Sequence, residues 1–207
     1  MKLYEFAPTR SIRARWTLQE LGVDFEAVAI DLVAGENRKP EFLALNPAGK
    51  VPVLVDGDLV LTESVTIVWY LAEKYADRGL LPADLAQRTQ VHRWLLFAVT
   101  ELEQPLWRIA KHVHLYPPDQ RLPAEVNNAG QDFKAMARVL DEHMRGRNYV
   151  VGDAATIADF VTAYTLDMAH EASVLGDFPQ LVAYMERMYD RPRAPMRIKQ
   201  AFASISA

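Results

Sequence analysis

The residues best suited to chemistry in this 207-residue chain lie between Asn46 and Ser64, where Asn46-Pro47-Ala48-Gly49-Lys50-Val51-Pro52 is followed by Glu63-Ser64. Pro52 has no N–H to give to a sheet and suits the first residue of a strand. A cis Val51–Pro52 bond, which an X-Pro pair adopts for about 0.5–1 kcal/mol, would turn the Val51 N–H and C=O outward. An extended peptide can pair with such groups as an added strand. Asp56-Gly57 between alternating apolar residues predicts a hairpin turn. Glu63-Ser64 then opens a helix, whose unpaired N–H groups and positive dipole end favour a carboxylate. The segment offers a backbone edge for a peptide and a place for its acid group. The plainer reading is a hairpin joined to a capped helix, with Glu63 and Ser64 as caps only.

Cysteine is absent from the chain. That excludes disulfide chemistry, a protein thiolate nucleophile and any cysteine-containing metal site, so a reacting thiol must arrive with a ligand. In order and spacing, the 46–64 residues resemble the glutathione-binding half of cytosolic glutathione transferases. The resemblance runs over nearly the whole chain. It implies that Val51, beside Pro52, holds the cysteinyl backbone of glutathione. Glu63 would accept from the γ-glutamyl ammonium, and Ser64 would take the γ-glutamyl carboxylate. Lys50 is the next candidate for a glutathione carboxylate, with Arg38 within reach of the same pocket.

The implied reaction is attack of the glutathione sulfur on an electrophile. A free thiol titrates near 8.5, and lowering that by about two units needs roughly 2.7 kcal/mol of thiolate stabilisation. A helix N-terminus supplies about 0.3–1 kcal/mol and a hydrogen bond to a charged group about 1.5–3 kcal/mol. One hydroxyl at the start of the first helix would therefore suffice. Thr9 and Ser11 both stand there. Serine-type members of the family carry their hydroxyl in this loop, ahead of an Arg-x-Arg run like Arg13-Ala14-Arg15. Counting back from that run lands near Pro8 or Thr9 and leaves Ser11 as the expected helix N-cap. Arg10 is the third candidate, as a positive charge for the thiolate or a glycyl carboxylate. Tyr4 is expected to pack in the sheet. For the electrophile, Trp107, Arg108, Lys111, His112, His114 and Tyr116 are candidates by position on a long helix. His112 and His114 diverge at a spacing of two, and no metal site is expected.

The elements that must position these groups can be read from local signals. Residues 2–6 form a strand, Ser11 to Leu21 a helix ended by Gly22, and Phe25 to Leu32 a second strand, giving a right-handed β-α-β unit. A short helix over Pro40 to Leu45, the hairpin and a helix from Ser64 to about Ala76 complete a thioredoxin-like α/β arrangement without redox cysteines. Asp77 to Pro82 breaks the pattern. Helices follow over Ala86 to His114, Ala124 to Met144, Phe178 to Tyr189 and Ile198 to Phe202. Thr156-Ile157-Ala158-Asp159 is a capping box that opens another helix, central and apolar on most sides. The expected domains are residues 1–78, a linker 79–85 and an all-helical domain 86–207.

Half of the residues are apolar and 24% are charged, with a net charge of −4, which fits a globular protein and not a basic nucleic-acid-binding face. No apolar run is long enough to span a membrane. With no signal peptide before the first strand, a cytoplasmic protein is the default expectation. The resemblance implies a homodimeric, detoxifying glutathione transferase acting on a small electrophile, with glutathione as co-substrate. The competing reading is a protein of the same fold that binds a ligand or partner without catalysis.

Overall fold

The computed structural model describes residues 1–205. Its contacts divide into two compact units. The first holds Met1–Leu81 and the described residues from Arg191 onward; the second is Pro82–Asp190. The sequence signals predict a first domain over 1–78 and a separate helical domain over 86–207.

In the first unit, β1 (Lys2–Glu5), α1 (Ser11–Leu21), β2 (Glu26–Ala29), α2 (Pro40–Leu45), β3 (Val53–Asp56), β4 (Leu59–Leu61) and α3 (Ser64–Lys74) follow the expected order. The strands are arranged β2-β1-β3-β4. β1 runs parallel to β2, with Lys2 opposite Glu26, and antiparallel to β3, with Leu3 opposite Leu54. Alternation along the strands sorts the two faces. Leu3 and Leu54, both fully buried, face α1 and α3, which pack on β1, on β3 and on each other. Tyr4 and Val53 face the other way, toward Phe42 of α2, with the Tyr4 and Phe42 rings edge-on at 6.3 Å. β2 is shorter than the expected Phe25 to Leu32, because the chain turns at Asp31. Its carboxylate accepts from the Val33 and Ala34 N–H groups at 2.8 and 2.9 Å.

The β3–β4 connection is the two residues Gly57 and Asp58, with Asp56 paired to Leu59 and Gly57 at φ 62°. Asp56 is tied to α3 by the Tyr70 hydroxyl at 2.7 Å and by the Lys74 ammonium. These hydrogen bonds, Lys74 first, hold its carboxyl below the ordinary value. The hairpin is thereby fixed against the helix that follows it.

The segment after the second unit returns to α1. Arg191 makes a two-pronged contact with the Glu20 carboxylate at 2.7 and 2.8 Å, and Trp16 donates to it at 3.1 Å. Arg193 donates to the Glu20 carbonyl at 3.0 Å, beside Gly22, whose missing side chain leaves room for the guanidinium. A cationic side chain at the last carbonyls of a helix is a favourable C-terminal partner. α9 (Ile198–Ile205) follows.

The second unit begins with one continuous helical run. α4 (Leu85–Phe97) passes through a π turn (Ala98–Leu102) into α5 (Glu103–Ala110) and a second π turn (Lys111–Leu115). The sequence pattern predicts one uniform helix from Ala86 to His114 here. Pro105 explains the first departure: it lacks an N–H and crowds the carbonyl four residues earlier, and a wider turn relieves both. α6 (Pro123–His143), α7 (Ile157–Glu171) and α8 (Pro179–Tyr189) complete the unit. α7 is the central helix, buried continuously from Ile157 to Asp167 and packed against α4, α5 and α8. Its capping box is formed as expected. The Asp159 carboxylate accepts from the Thr156 N–H, the Val150 N–H and the Tyr184 hydroxyl, each at 2.8 Å. Burial raises its pKa, and these donors pull against that rise.

Candidate active site

The loop before β3 is held open by amide side chains. Asn46, buried, donates to the Lys50 carbonyl at 2.7 Å and accepts from the Ala48 N–H at 3.1 Å. Asn37 donates to the Gly49 carbonyl at 2.7 Å. Gly49 has φ 63°, and a Cβ there would lie 3.0 Å from Arg38 Nη1 and 3.1 Å from the Asn37 carbonyl. Glycine is thus required both for the turn and for the close approach of Arg38. The Arg38 guanidinium thus lies against Gly49, the residue preceding Lys50, and Lys50 itself is exposed. The Val51–Pro52 bond is cis. Among the described residues no hydrogen bond reaches the Val51 N–H or C=O.

At the other end of the hairpin, Glu63 has φ 64° and ψ 112°, a conformation that costs a non-glycine residue on the order of 1–3 kcal/mol. Its side chain makes no cap hydrogen bond among the described residues. Ser64, 5% exposed, is the first residue of α3. Its hydroxyl accepts from Arg13 Nη1 at 3.2 Å. The caps-only reading of Glu63-Ser64 has no cap bond to rest on. Sequence reasoning did not single out Arg13 as a site residue. The available signal was its place on the same face of α1 as Trp16 and Thr17, which puts an arginine in the buried stripe.

Ser11 is not the N-cap. Arg10 occupies that position, and Ser11 is the first helical residue. The Ser11 hydroxyl instead turns back into the loop, where it accepts from the Phe6 N–H at 3.3 Å and meets the Thr9 hydroxyl at 2.9 Å. Thr9 Oγ1 donates to the Phe6 carbonyl and accepts from the Ser11 N–H at 3.3 Å. Each hydroxyl has one proton. With the Thr9 proton on the Phe6 carbonyl, the proton between the two hydroxyls belongs to Ser11. The direction of donation is therefore Phe6 N–H to Ser11 to Thr9. Thr9 is half-buried and Ser11 is 1% exposed. Arg15, from the same run, pairs with the buried Glu5 of β1, and its guanidinium lies over the Phe25 ring at 5.3 Å. Tyr4 lies in the sheet against α2, on the face opposite α1.

The electrophile candidates all lie on the second unit. Trp107 is 38% exposed. Arg108 is held by Glu125 and Asp132, both at 2.6 Å, and its hydrogen bonds to these carboxylates raise its pKa. It joins α5 to α6. His112 Nδ1 accepts from the Leu122 N–H at 3.2 Å, which puts the proton of the neutral ring on Nε2. Its ring meets Tyr116 edge-on at 4.9 Å, and the Lys111 ammonium lies 5.9 Å from the centre of the Tyr116 ring. The His114 and Tyr116 carbonyls accept from Arg121. No group of three or more potential metal-ligating side chains occurs among the described residues. No helix among them is long and apolar enough to cross a membrane.

Residues 1–73 match the family model described as the glutathione S-transferase N-terminal domain, and residues 108–192 match that of the C-terminal domain. Glutathione S-transferase F10 of Arabidopsis thaliana is 35% identical over 202 residues, covering 92% of this chain and 94% of that protein. A glutathione S-transferase from Xylella fastidiosa superposes with a TM-score of 0.84 at 28% identity, over 99% of this chain and 98% of the other. A glutathione transferase family member from Pseudomonas fluorescens Pf-5, crystallised with two glutathione molecules bound, has a TM-score of 0.86. It is 23% identical, covers 93% of this chain and 89% of its own, and shares the fold.

Proposed function

The chain belongs to the glutathione S-transferase family and is an enzyme of that type, and from that premise we propose how its own residues bind glutathione and ionise the thiol. Glutathione lies along Asn46–Ser64. Its cysteinyl backbone pairs with Val51 next to Pro52, its glycyl carboxylate meets Lys50 and Arg38, and its γ-glutamyl end meets Glu63 and Ser64. The observation that carries this reading is a Val51 backbone without a hydrogen-bond partner among the described residues, joined by one hairpin to a helix N-terminus that has no side-chain cap among them.

Thr9 is the thiolate's hydroxyl. An arriving sulfur replaces the Phe6 carbonyl as acceptor of the Thr9 proton, and that carbonyl keeps the Thr9 N–H at 3.0 Å. Ser11 continues to donate to Thr9, so the chain of donors from the Phe6 N–H ends on sulfur and each link strengthens the next. Arg10, at the N-cap, adds positive charge to the same end of α1. The thiol proton leaves to solvent, and the ionised sulfur forms a bond to a small electrophile, which either expels a leaving group with its bonding electrons or takes up a proton after addition; Arg108 serves the fold. The enzyme works as a homodimer in the cytoplasm, in detoxification.

The test is a spectroscopic titration of glutathione bound to the full chain between pH 5 and 9. The bound thiol is expected to ionise about two units below free glutathione. Thr9→Ala should raise that value by about one to two units and lower turnover roughly 10- to 100-fold. Thr9→Ser should keep most of the activity, and Ser11→Ala should lose less than Thr9→Ala. A bound thiol that titrates as it does in water would overturn the assignment.

A further inference from the structure

The Ser64 hydroxyl has a built-in direction, set from α1. Arg13 is 1% exposed and donates through Nη1 to Ser64 Oγ at 3.2 Å. A guanidinium has donors only and stays protonated at any working pH, so it cannot take the hydroxyl's own proton. Among the described residues nothing accepts that proton. Ser64 also begins an eleven-residue helix, whose first N–H groups have no partner within the helix. The residue before it, at positive φ, gives this end no side-chain cap, and none comes from elsewhere among the described residues.

We infer that Arg13 is a positioning residue: by occupying a lone pair of Ser64 it turns the serine's proton outward as a donor, making this end of α3 selective for a ligand with a carboxylate. This rests on the glutathione reading above, in which the carboxylate is that of the γ-glutamyl group. Arg13 acts through Ser64 and takes no part in ionising the thiol. It should therefore affect recognition of one ligand group and leave the sulfur chemistry alone.

The experiment compares two thiols on the full chain: glutathione, and its analogue γ-aminobutyryl-cysteinylglycine, which lacks only the γ-glutamyl α-carboxylate. Dissociation constants and the pKa of the bound thiol are measured for the wild type, Arg13→Met and Arg13→Lys, with melting temperatures alongside. Arg13→Met is expected to weaken glutathione about tenfold or more, as for a hydrogen bond that supports a charged acceptor, and to leave the analogue within about twofold. The thiol pKa at saturation should not move. Arg13→Lys, which keeps a donor and a charge, should recover part of the loss, and it carries the comparison if the methionine variant does not fold. Equal losses for both thiols would make Arg13 a core residue only and overturn the inference. A wild-type chain that takes up neither thiol would overturn the glutathione reading itself.

Discussion

Glu63 is the residue at which the proposed binding role and a folding role can be told apart. Its positive φ is unfavourable for a side chain with a Cβ, yet the side chain makes no cap bond in return. Strain that local structure does not reward is a pointer to function. Glu63→Gly relieves the strain of about 1–3 kcal/mol and adds about 0.4–1 kcal/mol of unfolded-chain entropy. The melting temperature should therefore hold or rise. The KM for glutathione should increase roughly tenfold, as expected when a charged partner of the γ-glutamyl ammonium is removed. A fall in melting temperature with unchanged KM would return Glu63 to the role of a cap. The Thr9–Ser11 pair makes the same point in another way. Two neighbouring hydroxyls of similar chemistry differ in their bonding, because Ser11 donates its hydrogen bond to Thr9 while Thr9 donates to the Phe6 carbonyl.

At the scale of elements, α1 is held at both ends by residues distant in sequence. Its first turn reaches α3 through Arg13 and Ser64, and its last turn is gripped by Arg191 and Arg193. Burial raises the Glu20 pKa, but hydrogen bonds from Arg191 and Trp16 and the charges of Arg191 and Arg193 outweigh it and leave the value below its ordinary 4.5. The sign follows from linkage: a carboxyl whose folded pKa is lowered stabilises the fold above its unfolded value, and that stability is lost as pH falls through the folded value. Thermal melts between pH 6 and 3 should therefore show an acid-dependent loss in the wild type. Glu20→Gln should start lower at pH 6, by on the order of 1 kcal/mol, and show a shallower loss on acidification. Identical slopes for the two proteins would remove Glu20 from the account of acid stability.

For the molecule as a whole, the α/β unit with its mixed four-stranded sheet and the helical unit around α7 together form the glutathione transferase fold. A ligand that binds only the folded chain raises its apparent stability by mass action. Glutathione at about 100 times its dissociation constant should add about 2.7 kcal/mol. For a chain of this size that corresponds to a rise in melting temperature of about 5–11 °C. Differential scanning fluorimetry with millimolar glutathione checks this, with oxidised glutathione alongside to show whether the free thiol is needed. No shift at any glutathione concentration would count against the proposed binding segment.

Local sequence signals were enough to determine a good part of this protein. The Gly57 turn, Pro52 ahead of β3, Gly22 past α1 and the Thr156–Asp159 box are written in residues whose backbone preferences act over a few positions. They located the hairpin, the helix starts and the α/β-then-helical order. The absence of cysteine required that any thiol come from a ligand. The tertiary structure alone decided that Arg108 is taken by Glu125 and Asp132, that Arg13 stands beneath Ser64, 51 residues away, and that Arg191 closes onto Glu20 across 171 residues. It also decided which way the Thr9 and Ser11 protons point. A hydrogen bond's direction and an arginine's partner depend on which atoms the folded chain brings within about 3 Å, and spacing along the sequence does not carry that information.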